Sequence, residues 1–111
     1  MNILGLDVST SITGVCVLNG KGEILLCEAI DTRNKNKFPS LLSKASFIKN
    51  KLREIEDAYI IDKIYIEESL QSFRSGFSSA KTLSILSKIN GIVSYLVCDI
   101  FETEPEYISA P

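Results

Sequence analysis

The chain has 111 residues, 45% of them hydrophobic, with 12 basic and 14 acidic side chains and a formal charge of −2. That composition supports one small domain with its own core and excludes a generally basic nucleic-acid binder, while leaving room for a local basic patch. Histidine is absent, so a Ser-His-Asp triad, a His-Cys nucleophilic pair and a histidine metal cluster are excluded, and any hydrolysis must rest on carboxylates, a metal or a partner.

Residues 3–8, 13–18 and 24–30 read as three strands. The first is Ile3-Leu4-Gly5-Leu6 running into Asp7, the second carries Val15, Val17 and Leu18, and the third begins Ile24-Leu25-Leu26. Ser, Thr and Ile of residues 10–13 form a mostly polar connection, and Asn19-Gly20-Lys21-Gly22 is a strong hairpin signal. An antiparallel meander follows. Residues 31–38 are a polar, basic loop, and Pro39 suits the first turn of a helix. Leu41, Ala45, Ile48, Leu52 and Ile55 then recur at spacings of four and three, one apolar helical face ending near Asp57.

Residues 60–67 form a fourth strand, and the helix before it fits a crossover better than a hairpin. Residues 69–79 are polar but hold Phe73 and Phe77, which predicts a surface loop. A second helix runs from about Ser79 to Val97 with Leu83, Leu86, Ile89, Val93 and Leu96 on its buried face. Ile85 and Ile92 widen that band, and Gly91 weakens the helix by about 1 kcal/mol relative to Ala. Residues 99–108 predict a fifth strand with acidic decoration.

There is no run of 18 apolar residues and no basic n-region leading into an apolar stretch and cleavage site, so neither a membrane span nor a secretory signal is supported. The expected location is intracellular, in cytoplasm or nucleoid, with a virus-encoded protein among the options. Cys16, Cys27 and Cys98 are odd in number and no CxxC occurs, which predicts reduced structural thiols in place of a disulfide scaffold or zinc site.

Two of the predicted strands end on acid: the first on Asp7, the fourth on Glu67 and Glu68. Side by side in a sheet they would pair carboxylates on a rigid support, which a hard divalent cation requires. Strand alternation puts Glu67 and Glu68 on opposite faces, so Glu67 is the better ligand and Glu68 serves only if the backbone bends. The competing assignment makes Asp7 a turn cap beside Ser9 and Thr10, and Glu67 a solvated strand end.

The order of three antiparallel strands, helix, strand, helix and strand resembles the ribonuclease H-like fold. Within it, Ile3-Leu4-Gly5-Leu6-Asp7 with Ser9, Thr13 and Gly14, followed by Tyr65-Ile66-Glu67 before an aromatic loop and a long helix, resembles the RuvC-type Holliday-junction resolvases. The resemblance implies a single domain over residues 1–111 that lacks the family's usual C-terminal helix and its further acids, and so is expected to be incomplete at its C-terminus. It implies catalytic and metal-ligating roles for Asp7 and Glu67, with Mg²⁺ or Mn²⁺ as cofactor. The activity implied is phosphodiester hydrolysis in branched or four-way DNA by a homodimer.

Residues 33–53 contain Arg33, Lys35, Lys37, Lys44, Lys49, Lys51 and Arg53 and no acid, a field that attracts phosphate but does not by itself locate the active face. In the loop after Glu67, the resemblance matches Phe73 to a residue that engages the junction centre. Phe73 is therefore expected to wedge or stack on a base and Arg74 to contact phosphate, and Lys81 is a further backbone contact. Three alternatives stand beside this reading. One is a non-catalytic binding or assembly domain derived from a resolvase, another a YqgF-like RNA nuclease. The third is a fragment of the actin-like superfamily, whose phosphate-binding hairpin resembles residues 3–18.

Overall fold

Period-two alternation and a Gly-rich turn build the first half of the sheet. Strands β1 (Ile3–Asp7), β2 (Ile12–Leu18) and β3 (Ile24–Asp31) form the expected meander in a computed structural model that describes residues 1–68 and 79–109, the side chain of Glu68 excepted. At the second turn the Asn19 side-chain oxygen accepts from the backbone N–H groups of Lys21 (2.9 Å) and Glu23 (3.0 Å). Gly22 sits there at φ 80°, a left-handed position that favours glycine.

Helix α1 (Leu41–Ala58) crosses back to β4 (Lys63–Glu68), and α2 (Ala80–Phe101) leads to β5 (Glu106–Ser109). The five strands lie in the order β3-β2-β1-β4-β5. β1 pairs antiparallel with β2, and β2 with β3, whereas β1–β4 and β4–β5 are parallel. This is the ribonuclease H-like topology, and among the described residues no helix follows β5.

One sheet face supplies the core. Leu4, Leu6, Val15, Val17, Ile30, Ile64 and Ile66 are buried together with Ile48, Leu52 and Ile55 of α1 and Leu86, Ile89, Val93 and Val97 of α2. Both helices therefore pack on the same side. α2, 22 residues long, has the length and apolarity of a bilayer-crossing helix. Its fully buried residues nevertheless belong to the core shared with the sheet. The opposite face has no helix on it among the described residues. Alternation sends Gly5, Asp7, Gly14, Cys16, Tyr65 and Glu67 there.

Several local expectations change. Pro39 lies outside α1, because Ser40 is the N-cap: its side chain accepts from Ser43 N–H at 3.1 Å while the Ser43 hydroxyl accepts from Ser40 N–H at 3.1 Å. Residues 99–101, read as strand, continue α2, because Ile100 and Phe101 pack against the core on the helical repeat after Leu96 and Val97. Glu102 then ends the helix in the left-handed conformation at φ 55°, which leaves only Glu106–Ser109 as β5. Cys16 and Cys27 are joined as a disulfide and only Cys98 is free, in contrast to three reduced thiols. The cause is register. The two residues face each other directly across β2 and β3, with Cα atoms 4.2 Å apart, close to the spacing of a non-hydrogen-bonded antiparallel pair.

Candidate metal centre and nucleic-acid edge

Asp7 and Glu67 are register partners at the ends of adjacent parallel strands. Residues so paired point to the same face, and both line one cavity of about 270 Å³ with Gly5, Gly14 and Tyr65. Neighbouring strands lie about 4.8 Å apart, so the two carboxylates emerge from the sheet at that separation. Asp7 is exposed and Glu67 half-buried. Two glycines keep the floor low beside them. Gly5 has open space above its Cα, and a Cβ at Gly14 would stand 3.8 Å from the Asp7 Cβ.

The turn after Asp7 is organised by Ser9. The Ser9 hydroxyl oxygen accepts from the N–H groups of Ser11 (3.2 Å) and Ile12 (3.0 Å) and donates to the Ile12 carbonyl at 2.6 Å. Two buried threonines tie this turn to its surroundings: Thr13 donates to the Ser9 carbonyl at 3.4 Å, and Thr32 to the Ser11 carbonyl at 3.0 Å. Capping thus falls to Ser9, and among the described residues Asp7 and Glu67 make no side-chain hydrogen bond or ion pair with protein.

Oxygen donors of this kind fit Mg²⁺ or Mn²⁺, which take carboxylates and retain water. No group of three or more His, Cys, Asp or Glu side chains suited to a metal occurs among the described residues. Glu68 continues β4 by backbone, pairing with Ser109, and its side chain is outside the described set. Phe73 and Arg74, the expected junction-contacting residues, likewise lie outside the described residues. Lys81 is exposed in the first turn of α2.

The same geometry brings in residues that sequence reasoning left out. Cys16, Cys27 and Ile108 line the cavity with the two acids, as does Tyr65. Tyr65 and Cys16 lie two residues from Glu67 and Gly14, so period-two counting would have found them once the register was known. The cations of residues 33–44 are also placed. β1, β3 and β4 run parallel to one another, so the chain leaves β3 at Asp31 on the edge where β1 ends at Asp7. There Arg33 holds Asp31 bidentately, with Nη2–Oδ2 at 2.8 Å and Nε–Oδ1 at 3.0 Å. This hydrogen bonding, reinforced by the Arg33 backbone N–H, lowers the Asp31 pKa to about 2.

No protein-family model and no curated protein matches the chain. Solved structures match it by shape. "T. thermophilus RuvC in complex with Holliday junction substrate" aligns with a TM-score of 0.77 at 12% identity, over 98% of this chain and 64% of that one. A second Thermus thermophilus RuvC structure gives 0.67 at 16% identity, over 98% and 62%. An Aquifex aeolicus Ppx/GppA phosphatase gives 0.53 at 11% identity, over 98% and 36%. The chain spans less than two thirds of the RuvC chains it matches. At these identities the likeness is one of fold alone, shared with RuvC and with a Ppx/GppA phosphatase.

Proposed function

We propose that the chain carries the core of a divalent-metal-dependent endonuclease that hydrolyses phosphodiester bonds in branched DNA, with the four-way junction as preferred substrate. The observation that carries this reading is the register pairing of Asp7 with Glu67 at the rim of one cavity. The fold shared with a RuvC bound to a Holliday junction supports it. Asp7 and Glu67 would hold Mg²⁺ or Mn²⁺. When bound, such an ion supplies positive charge at the phosphoryl oxygens and a more acidic water.

The remaining work falls to the chain itself. The Gly5–Gly14 floor admits a phosphate backbone close to the sheet, and Tyr65 walls the cavity beside Glu67. Phe73 wedges or stacks at the branch point, Arg74 holds phosphate, and Lys81 contacts the backbone from α2. Paired cuts in a symmetric junction call for two copies related by a two-fold axis. Leu42 and Tyr95, 70% and 67% exposed beside a groove between α1 and α2, supply apolar surface for that dimer.

The test is cleavage of a labelled four-way junction and a matched duplex in Mn²⁺. Junction-selective cutting is expected, falling on the order of 100-fold or more in Asp7→Asn, since even outer-shell partners of a metal contribute 10–100-fold. Because no group of three or more His, Cys, Asp or Glu side chains suited to a metal occurs among the described residues, the absolute rate is expected to be low. That same observation favours the second reading, a binding or assembly domain. Metal-independent junction binding without cutting, persisting when further acids are supplied on an added C-terminal helix, would establish it. Preferred cutting of structured RNA would point to the YqgF-like activity instead, and ATP binding without junction affinity to the actin-like class.

A further inference from the structure

The basic run of residues 33–53 is continuous in sequence, but the fold divides it. Arg33, Lys35 and Lys37 leave β3 on the edge that holds Asp7, and Lys44 reaches back to the same edge, where its Nζ donates to the Thr10 carbonyl. α1 then runs away from that edge toward β4, whose first residues meet Asn2 at the far side. At 1.5 Å per residue, Lys49 and Arg53 stand about 12 and 18 Å beyond Leu41, the first residue of α1.

The loop itself is ordered by its own sequence. The Asn34 side-chain oxygen accepts from the N–H groups of Asn36 (2.9 Å) and Lys37 (3.2 Å), and the Asn34 carbonyl accepts from Phe38 N–H at 2.8 Å. Phe38 is buried against Phe47, with ring centroids 5.0 Å apart. Thr32 N–H donates to the Ser11 carbonyl at 2.8 Å, fastening the loop to the turn that follows Asp7. An open cleft of about 600 Å³ results, lined by Asp31, Arg33, Asn34, Lys37, Phe38 and Phe47. Its one carboxylate is neutralised by Arg33. Lys35 and Lys37 are exposed and have no acidic partner among the described residues.

We infer that Lys35 and Lys37 form a phosphate-backbone contact for a duplex arm of the nucleic acid whose scissile bond sits at Asp7 and Glu67. The inference rests on the nuclease reading for its substrate and on the fold for its location. Asp31 lies two strands from β1, a lateral offset of about 10 Å, or roughly three phosphates along one DNA strand at 3.4 Å each. A duplex arm leaving the carboxylates toward β3 crosses these lysines. Lys49 and Arg53 lie away from that path, despite carrying the same charge in the same run.

The experiment measures binding of the Asp7→Asn chain to a four-way junction and to duplex DNA in EDTA, between 50 and 200 mM salt. Lys35→Ala/Lys37→Ala is expected to weaken both substrates on the order of 10-fold and to lower the slope of log K against log salt by about 2. Lys49→Ala/Arg53→Ala should leave the slope as it was. Circular dichroism and the thermal midpoint confirm that each variant is folded. Equal losses in the two double variants, no loss in either, or no DNA binding by the parent chain would each overturn the assignment. Absence of junction cutting by the unsubstituted chain in Mn²⁺, with this binding pattern intact, would instead count against the nuclease reading alone.

Discussion

Alternation decides which acid matters. Glu67 faces the cavity with Asp7 because Ile64 and Ile66, at 1% and 0% exposure, occupy the core face of the same strand. The Asp31–Arg33 pair provides a residue-scale test. Its side-chain hydrogen bonds lower the Asp31 pKa from 3.8 to about 2. A depressed carboxyl contributes stability above its unfolded value, and that contribution is lost as pH falls from about 4 through about 2. The effect on stability is small, since the side chains of Arg33 and Asp31 are 65% and 48% exposed and screened by solvent. Titration by carboxyl NMR should place Asp31 near 2, and Arg33→Ala should return it toward 3.8. An ordinary value in the parent chain would show that the pair does not persist in solution.

Among the elements, α1 joins the core to the edge that holds Asp7, through Lys44. Leu52 is fully buried and Ile48 1% exposed, so Leu52→Ala is expected to destabilise by about 2–5 kcal/mol. Ser40→Ala, which removes the cap, should destabilise by about 1 kcal/mol. Urea denaturation measures both, and a reversed ranking would place the stability of α1 in its cap instead of its buried face. The buried face of α1 was legible because period and length agreed over four turns. The end of α2 was not, because Ile100 and Phe101 serve equally as strand or as one more helical turn. Only packing against the core selects the helix. The Cys16–Cys27 pairing was hidden for a related reason. Cross-strand partners depend on register, and the β2–β3 register shifts between Val17 and Leu18. Asp7 and Glu67 were readable as strand-tip acids, but their placement in one row required the parallel β1–β4 pairing.

At the scale of the molecule, a formal charge of −2 conceals a polar distribution. Cations at positions 33–44 leave from the edge that also holds Asp7, Asp31 and Glu67. Glu54, Glu56 and Asp57 instead follow Lys49, Lys51 and Arg53 toward the far end of α1, and Asp62 meets Asn2 there, accepting from its N–H at 2.8 Å. Composition averages these regions, so the sequence total could not reveal the asymmetry; topology separates them. The exposed Lys35 and Lys37 attract phosphate to their own loop. Association with DNA is therefore expected to slow steeply as salt rises, a dependence that stopped-flow fluorescence would measure and that a flat salt profile would refute.

The pairing of Asp7 with Glu67 also bears on folding. Like charges directly opposite on neighbouring strands destabilise a sheet, so under the proposed metal role a divalent ion held by both carboxylates would act as a folding ligand. At 100 times its dissociation constant such a ligand adds about 2.7 kcal/mol. Mn²⁺ should raise the thermal midpoint of the parent chain, while Asp7→Asn should melt higher than the parent in EDTA and lose the response to Mn²⁺. An unchanged midpoint in both would separate the two carboxylates energetically. With the expected shifts, ambient divalent-ion concentration becomes a determinant of how long the chain survives proteolysis as well as of any cutting.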